Sequence, residues 1–109
     1  MAELDSDRAA EVAIATTYDQ TGVAIITVSG ELDASNSDAL QATVASVAAA
    51  QPDALVFSLS GLSYMDSAGI SVLLSAAEKV AAVRLRDPSP AVRRVIDVTG
   101  LLDVLSIES

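Results

Sequence analysis

Residues 54–81 run ALVFSLSGLSYMDSAGISVLLSAAEKVA, and their reading decides the fold. Ala54 to Leu59 is a short apolar run between turn signals, the pattern of a central strand. Ser60 to Met65 contains Ser and Gly and reads as a connecting loop. At Asp66 the period changes. Ile70, Leu73, Leu74, Ala77 and Ala81 recur at helical spacing and make one apolar stripe. Val83 to Arg86 follows as a short strand. Strand, helix and strand in that order form a crossover unit, which sets the two strands parallel in one sheet.

The flanks extend the same plan. Glu11 to Thr17 alternates apolar and polar residues as a half-buried strand does. Tyr18 to Gly22 supplies turn residues, and Val23 to Ser29 is β-branched and apolar. These two strands read as a hairpin, which adds an antiparallel strand and makes the sheet mixed. Gly30-Glu31-Leu32-Asp33 breaks the strand. Ser35 is placed to cap a helix, with Asp38 three residues on. Leu40, Val44, Val47 and Ala48 share one face of that helix, and Gln51-Pro52-Asp53 stops it. Beyond Arg86, Asp87-Pro88-Ser89-Pro90 marks a further helix start, with Ser89 as N-cap and Pro90 at the first helical position. Val92, Val95 and Ile96 form its buried face, and Gly100 suits the residue after its end. Leu101 to Ile107 is a terminal apolar segment, either a short helix or an edge strand. The expected order is β-β-α-β-α-β-α, an α/β fold with a mixed β-sheet packed with α-helices. Residues 1–10 read as a loose N-terminal lead and 11–109 as a single domain.

Composition narrows the function. The 109 residues include 6 basic and 15 acidic side chains, a net charge of −9, and no His, Cys or Trp. Without His or Cys, the usual structural zinc sites, thiol redox chemistry and His-dependent triads are excluded. The acidic balance disfavours nucleic acid and anionic membrane surfaces, both of which are bound through Lys and Arg. It favours a basic partner protein. No GxxxxGK loop is present, so P-loop nucleotide hydrolysis is excluded. The first eleven residues are too acidic for a secretory signal, and no apolar stretch is long enough for a membrane helix. A soluble cytoplasmic domain is the resulting expectation, with no cofactor and no metal.

The segment Tyr64-Met65-Asp66-Ser67-Ala68-Gly69-Ile70 places a hydroxyl where a helix begins. Free backbone N–H groups and the positive helix end favour anionic groups there. The structural reading is an ordinary cap made by Asp66 or Ser67. A serine nucleophile is disfavoured, because no His is present and Lys79, the only lysine, lies roughly 18 Å along the helix at 1.5 Å per residue. The hydroxyl therefore suits a substrate better than a nucleophile. Asp33 and Asp66 both follow strands and belong at one end of the sheet, either as a carboxylate pair or as turn residues. Ala68, Val72, Ala76 and Lys79 read either as a flat, small-residue face open to a partner or as residues chosen for helix propensity alone. Arg93-Arg94 reads as a solvated helix face, with a site for an acidic partner as the alternative.

Three segments together resemble the STAS-domain family, and within it the stand-alone bacterial anti-sigma factor antagonists. They are Gly30-Glu31-Leu32-Asp33, Leu62 to Ile70, and Ser89 to Leu101. The resemblance implies a STAS-like mixed sheet and a partner-switching role. It implies that the unmodified chain binds an anti-sigma factor serine kinase and so frees a sigma factor. The kinase, using ATP and Mg²⁺, would then phosphorylate the chain and end the complex, and a serine phosphatase would reset it. The acceptor implied is Ser67, preceded by Asp66, and Asp33 matches the family acid near the kinase. The partner contact expected from these readings comprises Asp33, Asp66, Ala68, Gly69 and Val72. Ser58 stands where the family often has Asp or Asn, and Ala68 replaces a second hydroxyl found in many members. The alternative is an accessory STAS subunit of a lipid-transport ATPase or a sensory assembly, acting without phosphorylation.

Overall fold

The computed structural model describes residues 11–100 and 105–108. In chain order they form β1 (Val12–Tyr18), β2 (Ala24–Leu32), α1 (Ser37–Ala49), β3 (Leu55–Ser58), β4 (Leu62–Met65), α2 (Ser67–Lys79), β5 (Val83–Arg86), α3 (Pro90–Thr99) and β6 (Ser106–Glu108). The expected mixed sheet is present, with β4 added to the expected order and β6 taking the edge-strand alternative for the terminal segment.

Strand β2 organises the sheet. Along one edge it pairs antiparallel with β1, from Val12 opposite Gly30 to Tyr18 opposite Ala24. The turn between them is held by Asp19, whose Oδ1 accepts bonds from the Thr21 hydroxyl and from the N–H groups of Thr21 and Val23. These bonds, led by the Thr21 hydroxyl, keep the Asp19 carboxyl below its ordinary pKa. Along the other edge β2 has two successive parallel partners. Ala24 to Thr27 pair with β3, and Gly30 to Leu32 pair with β4. Beyond β3 lie β5 and then β6, both parallel, with Arg86 Nε donating to Glu108 Oε1 at 2.6 Å.

The period of 2 decides which side chains the sheet buries. Ala24, Ile26 and Val28 of β2, Leu55 and Phe57 of β3, and Val83 and Leu85 of β5 share one face. Against it pack Leu40, Val44 and Val47 of α1, Ile70, Val72, Leu73 and Ala76 of α2, and Val92 and Ile96 of α3. All three helices therefore cover one side of the sheet. Each fully buried Leu, Ile or Phe contributes about 2–3 kcal/mol by leaving water. Among the described residues no polar side chain is fully buried.

Four expectations need correction. Gly30 does not end β2. It takes a φ of 95° beside a register shift, and the strand continues to Leu32. Glycine in a strand here marks a bulge, because an added Cβ would overlap the Glu11 carbonyl oxygen. Ser60–Met65 is not all loop: Leu62 to Met65 form β4 on the edge that the bulge prepares. Ser35 does not cap α1. The N-cap is Asn36, and Ser35 instead donates its N–H and hydroxyl to Asp33 Oδ1. Finally, the buried stripe of α2 is Gly69, Ile70, Val72, Leu73 and Ala76, while Leu74 and Ala81 are exposed. The expected stripe is thus turned by about one residue, or 100° of helix.

Ser89 and Pro90 open α3 as expected, and Gly100 closes it with a φ of 75°. Of the terminal segment, Ser106 to Glu108 form an edge strand, whereas residues 101–104 lie outside the described residues, as does the lead at 1–10.

Candidate functional site

The bulge at Gly30 brings two strand ends level. Leu32 closes β2 and Met65 closes β4, and the two are register partners. The residues that follow, Asp33 and Asp66, therefore leave the sheet side by side. The Asp66 N–H donates to the Leu32 carbonyl at 3.3 Å, which ties the two exits together. The sequence expectation that both carboxylates lie at one end of the sheet holds.

Each aspartate has a local task. Asp33 Oδ1 accepts from the Ser35 N–H at 2.8 Å and the Ser35 hydroxyl at 2.6 Å. Its own N–H donates to Asn36 Oδ1 at 3.0 Å, and Asn36 Nδ2 donates to the Glu31 carbonyl at 2.9 Å. This knot turns the chain from β2 into α1. Asp66 is the N-cap of α2, and its Oδ1 accepts from the Ala68 N–H at 2.9 Å. The cap satisfies one of the donors that a helix leaves open at its start. Both carboxylates are half-buried. Among the described residues no cluster of three or more His, Cys, Asp or Glu side chains could hold a metal ion.

Ser67 occupies the first position of α2 and is exposed. Because Asp66 makes the cap, the Ser67 hydroxyl has no hydrogen-bond partner among the described residues. Its carbonyl accepts from the Ser71 hydroxyl at 3.1 Å. The arrangement offers a free hydroxyl at the positive end of a helix whose first turn carries no acidic residue. Lys79, at the far end of α2, donates to Ser75 Oγ at 2.7 Å.

The other expected contact residues divide. Ala68 is half-buried. Gly69 is buried against Met65 and Leu32, and a Cβ there would come within 2.8 Å of Leu32 Cδ2. Its small size serves close packing of the helix on the sheet end. Val72 is only 3% exposed and Ala76 is fully buried, so the flat face expected from Ala68, Val72 and Ala76 is turned into the core. The exposed stripe runs instead through Ser67, Ser71, Leu74 and Glu78. Their spacing of three and four residues marks one helix face, but the apolar character of Leu74 argues for the inward side. Tyr64, opposite Glu31 on β4 and two residues before Asp66, is an exposed aromatic. Arg93 pairs with Asp97 at 3.3 Å on the solvated face of α3.

The profile of the STAS domain matches residues 15–109, nearly all of the chain. The chain belongs to the STAS-domain family. Within that family it is similar to the anti-sigma-F factor antagonist RsfA of Mycobacterium tuberculosis. The two are 36% identical over 99 residues, which covers 85% of this chain and 77% of RsfA. The anti-sigma-F factor antagonist RsfB of the same organism is 35% identical over 65 residues, 60% of this chain. That match spans about half of RsfB, 53% of its length. Among solved STAS structures, an anti-sigma factor antagonist from Mycobacterium paratuberculosis superposes with a TM-score of 0.83 at 31% identity. The superposition covers 89% of this chain and 85% of that one. The bulged β2, the adjoining β4 and the Asp66-Ser67 helix start thus belong to a STAS domain.

Proposed function

We propose that this chain is an anti-sigma factor antagonist that binds an anti-sigma factor serine kinase while unphosphorylated, and that phosphorylation of Ser67 switches it off. The observation that carries this reading is the exposed, unengaged Ser67 hydroxyl on a helix start already capped by Asp66. The names of the STAS relatives support the partner class, and the acidic charge of −9 suits a partner with a basic contact surface. Binding sequesters the kinase and frees a sigma factor, which places the action in the cytoplasm.

In the switching step Ser67 Oγ attacks the γ-phosphorus of ATP. The bond to the bridging oxygen of ADP breaks, and the serine proton passes to a base on the kinase. The partner supplies ATP, Mg²⁺ and the base, and the antagonist supplies only the acceptor. Phosphate adds about −1.5 to −2 charges at pH 7. A helix N-terminus tolerates that charge, so the fold is kept. Binding is lost where an acidic group of the partner faces Ser67, because the added phosphate repels it there whatever basic groups meet the rest of the surface. One charge pair about 6 Å apart at an effective dielectric of 20 is worth roughly 3 kcal/mol, or about a hundredfold in affinity. A serine phosphatase would restore the binding form.

The test is isothermal titration of the purified anti-sigma factor kinase with two forms of the chain, unmodified and carrying phosphoserine at 67. The expected result is tight binding of the first and about a hundredfold weaker binding of the second. Equal affinities would contradict the switch. Absence of any kinase partner, with capture of transporter or sensory subunits instead, would favour the accessory role.

A further inference from the structure

The sheet ends on one side at β1, whose partner among the described residues is β2 alone. The seven residues of β1, VAIATTY, contain no charge, no Pro and no Gly. Edge strands are normally protected by such residues against pairing with other chains. The hydrogen bonds at the two ends of β1 show which groups face outward. The Glu11 carbonyl accepts from the Glu31 N–H at 2.8 Å, and the Asp19 N–H donates to the Val23 carbonyl at 3.0 Å. Odd-numbered residues therefore direct their backbone groups toward β2. In an antiparallel ladder the alternate residues direct theirs away. Val12, Ile14, Thr16 and Tyr18 thus present N–H and C=O groups to the open edge.

Two further observations select the occupant. On the helix side of this edge, Thr16 and Tyr18 form an open groove of about 390 Å³ with Ala42, Thr43, Ser46 and Val47 of α1. It has room for the alternate side chains of an added strand, and its hydroxyls suit small β-branched or hydroxylated ones. At the two ends of β1 stand the exposed acids Glu11 and Asp19. A second copy of this chain, paired antiparallel about Ala15, would set each Glu11 opposite the other copy's Asp19. Like charges directly opposite destabilise a ladder, and both copies carry −9 besides. A strand with basic ends meets the opposite situation.

We infer that the β1 edge takes up an extended segment of a partner protein, uncharged through its middle and ending in Lys or Arg, as an added strand of the sheet. Main-chain hydrogen bonds provide the affinity, and the two flanking acids provide the selection. The site lies on β1 and the β1–α1 groove, and it does not depend on Ser67.

The experiment uses the full chain and labelled nonapeptides of alternating Thr and Val, one with Lys at both ends and one with Glu at both ends. Fluorescence anisotropy at low salt should show the Lys-ended peptide bound about tenfold more tightly than the Glu-ended one. Thr16→Pro removes an outward N–H while sparing the β1–β2 bonds, and should abolish binding with the circular dichroism spectrum kept. Should that variant fail to fold, Glu11→Lys replaces it, and it should reduce the preference for Lys ends about threefold. Equal affinity for both peptides, no binding of either, or full binding by Thr16→Pro overturns the inference. Sedimentation showing a concentration-dependent dimer that Thr16→Pro abolishes would assign the edge to a second copy and overturn it as well.

Discussion

Helices α2 and α3 both begin on a side-chain cap, the Asp66 carboxylate for one and the Ser89 hydroxyl for the other. Ser89 accepts from the Val92 N–H at 3.4 Å and also donates to the Leu62 carbonyl at 2.8 Å. Its hydroxyl is consumed by the fold and fastens α3 to the first residue of β4. At α2 the capping duty falls one residue earlier, on Asp66, and the serine that follows is left in solvent. Strand β4 joins the two places, supporting α3 at Leu62 and leading into Asp66 beyond Met65. The difference lies in which residue makes the cap, and it leaves the Ser67 hydroxyl exposed where the Ser89 hydroxyl is engaged. An acid in the cap position satisfies one helix donor and leaves the neighbouring hydroxyl unengaged, as the proposed acceptor role requires.

Both helix starts are most sensitive to substitution at Gly30. Gly30→Ala forces a Cβ onto the Glu11 carbonyl at a positive φ and disturbs the pairing with Leu62 on which both helix starts depend. A loss of about 3 kcal/mol is expected in urea denaturation. Ser89→Ala comes next, at about 2 kcal/mol, because it removes the cap and orphans the Leu62 carbonyl as well. Asp66→Ala loses the cap alone, at about 1 kcal/mol, and Asp66→Asn should recover most of that by keeping the accepting oxygen. Ser67→Ala should change stability by less than about 0.5 kcal/mol, as an exposed side chain without a structural bond does. The ordering sharpens the comparison: if Ser67→Ala cost as much as Ser89→Ala, the claim that its hydroxyl is free of structural work would be wrong.

Much of this was readable from the sequence because it rests on local chemistry. Ser89-Pro90 and Gly100 bounded α3 correctly, and Val83 to Arg86 stood out as a strand, since cap, proline and β-branched signals act within a few residues. The Asp66-Ser67 start was visible for the same reason. Strand β4 was not. Its four residues bury only the two ends, Leu62 and Met65, so neither a period of 2 nor a continuous apolar run appears. Its existence depends on a vacant edge of β2, a long-range fact that Gly30 prepares and that no local window contains. The rotation of α2 was hidden by its composition. Ala and Leu occur on every side of that helix, and the tertiary contacts of Gly69 and Val72, rather than the apolar pattern, set which face turns inward. Leu74 consequently joined Ser67 on the exposed stripe, where the sequence had placed Val72.

The account stands most directly on the phosphate state of one residue. Protein isolated from its native cells through growth and stress should be resolved by intact-mass spectrometry, with peptide mapping of the modified form. The account predicts a single phosphate, located on Ser67 and not on Ser63, Ser71 or Ser89, whose occupancy rises and falls with condition. A chain without phosphate in every condition, or with phosphate on one of those other serines instead, would contradict it.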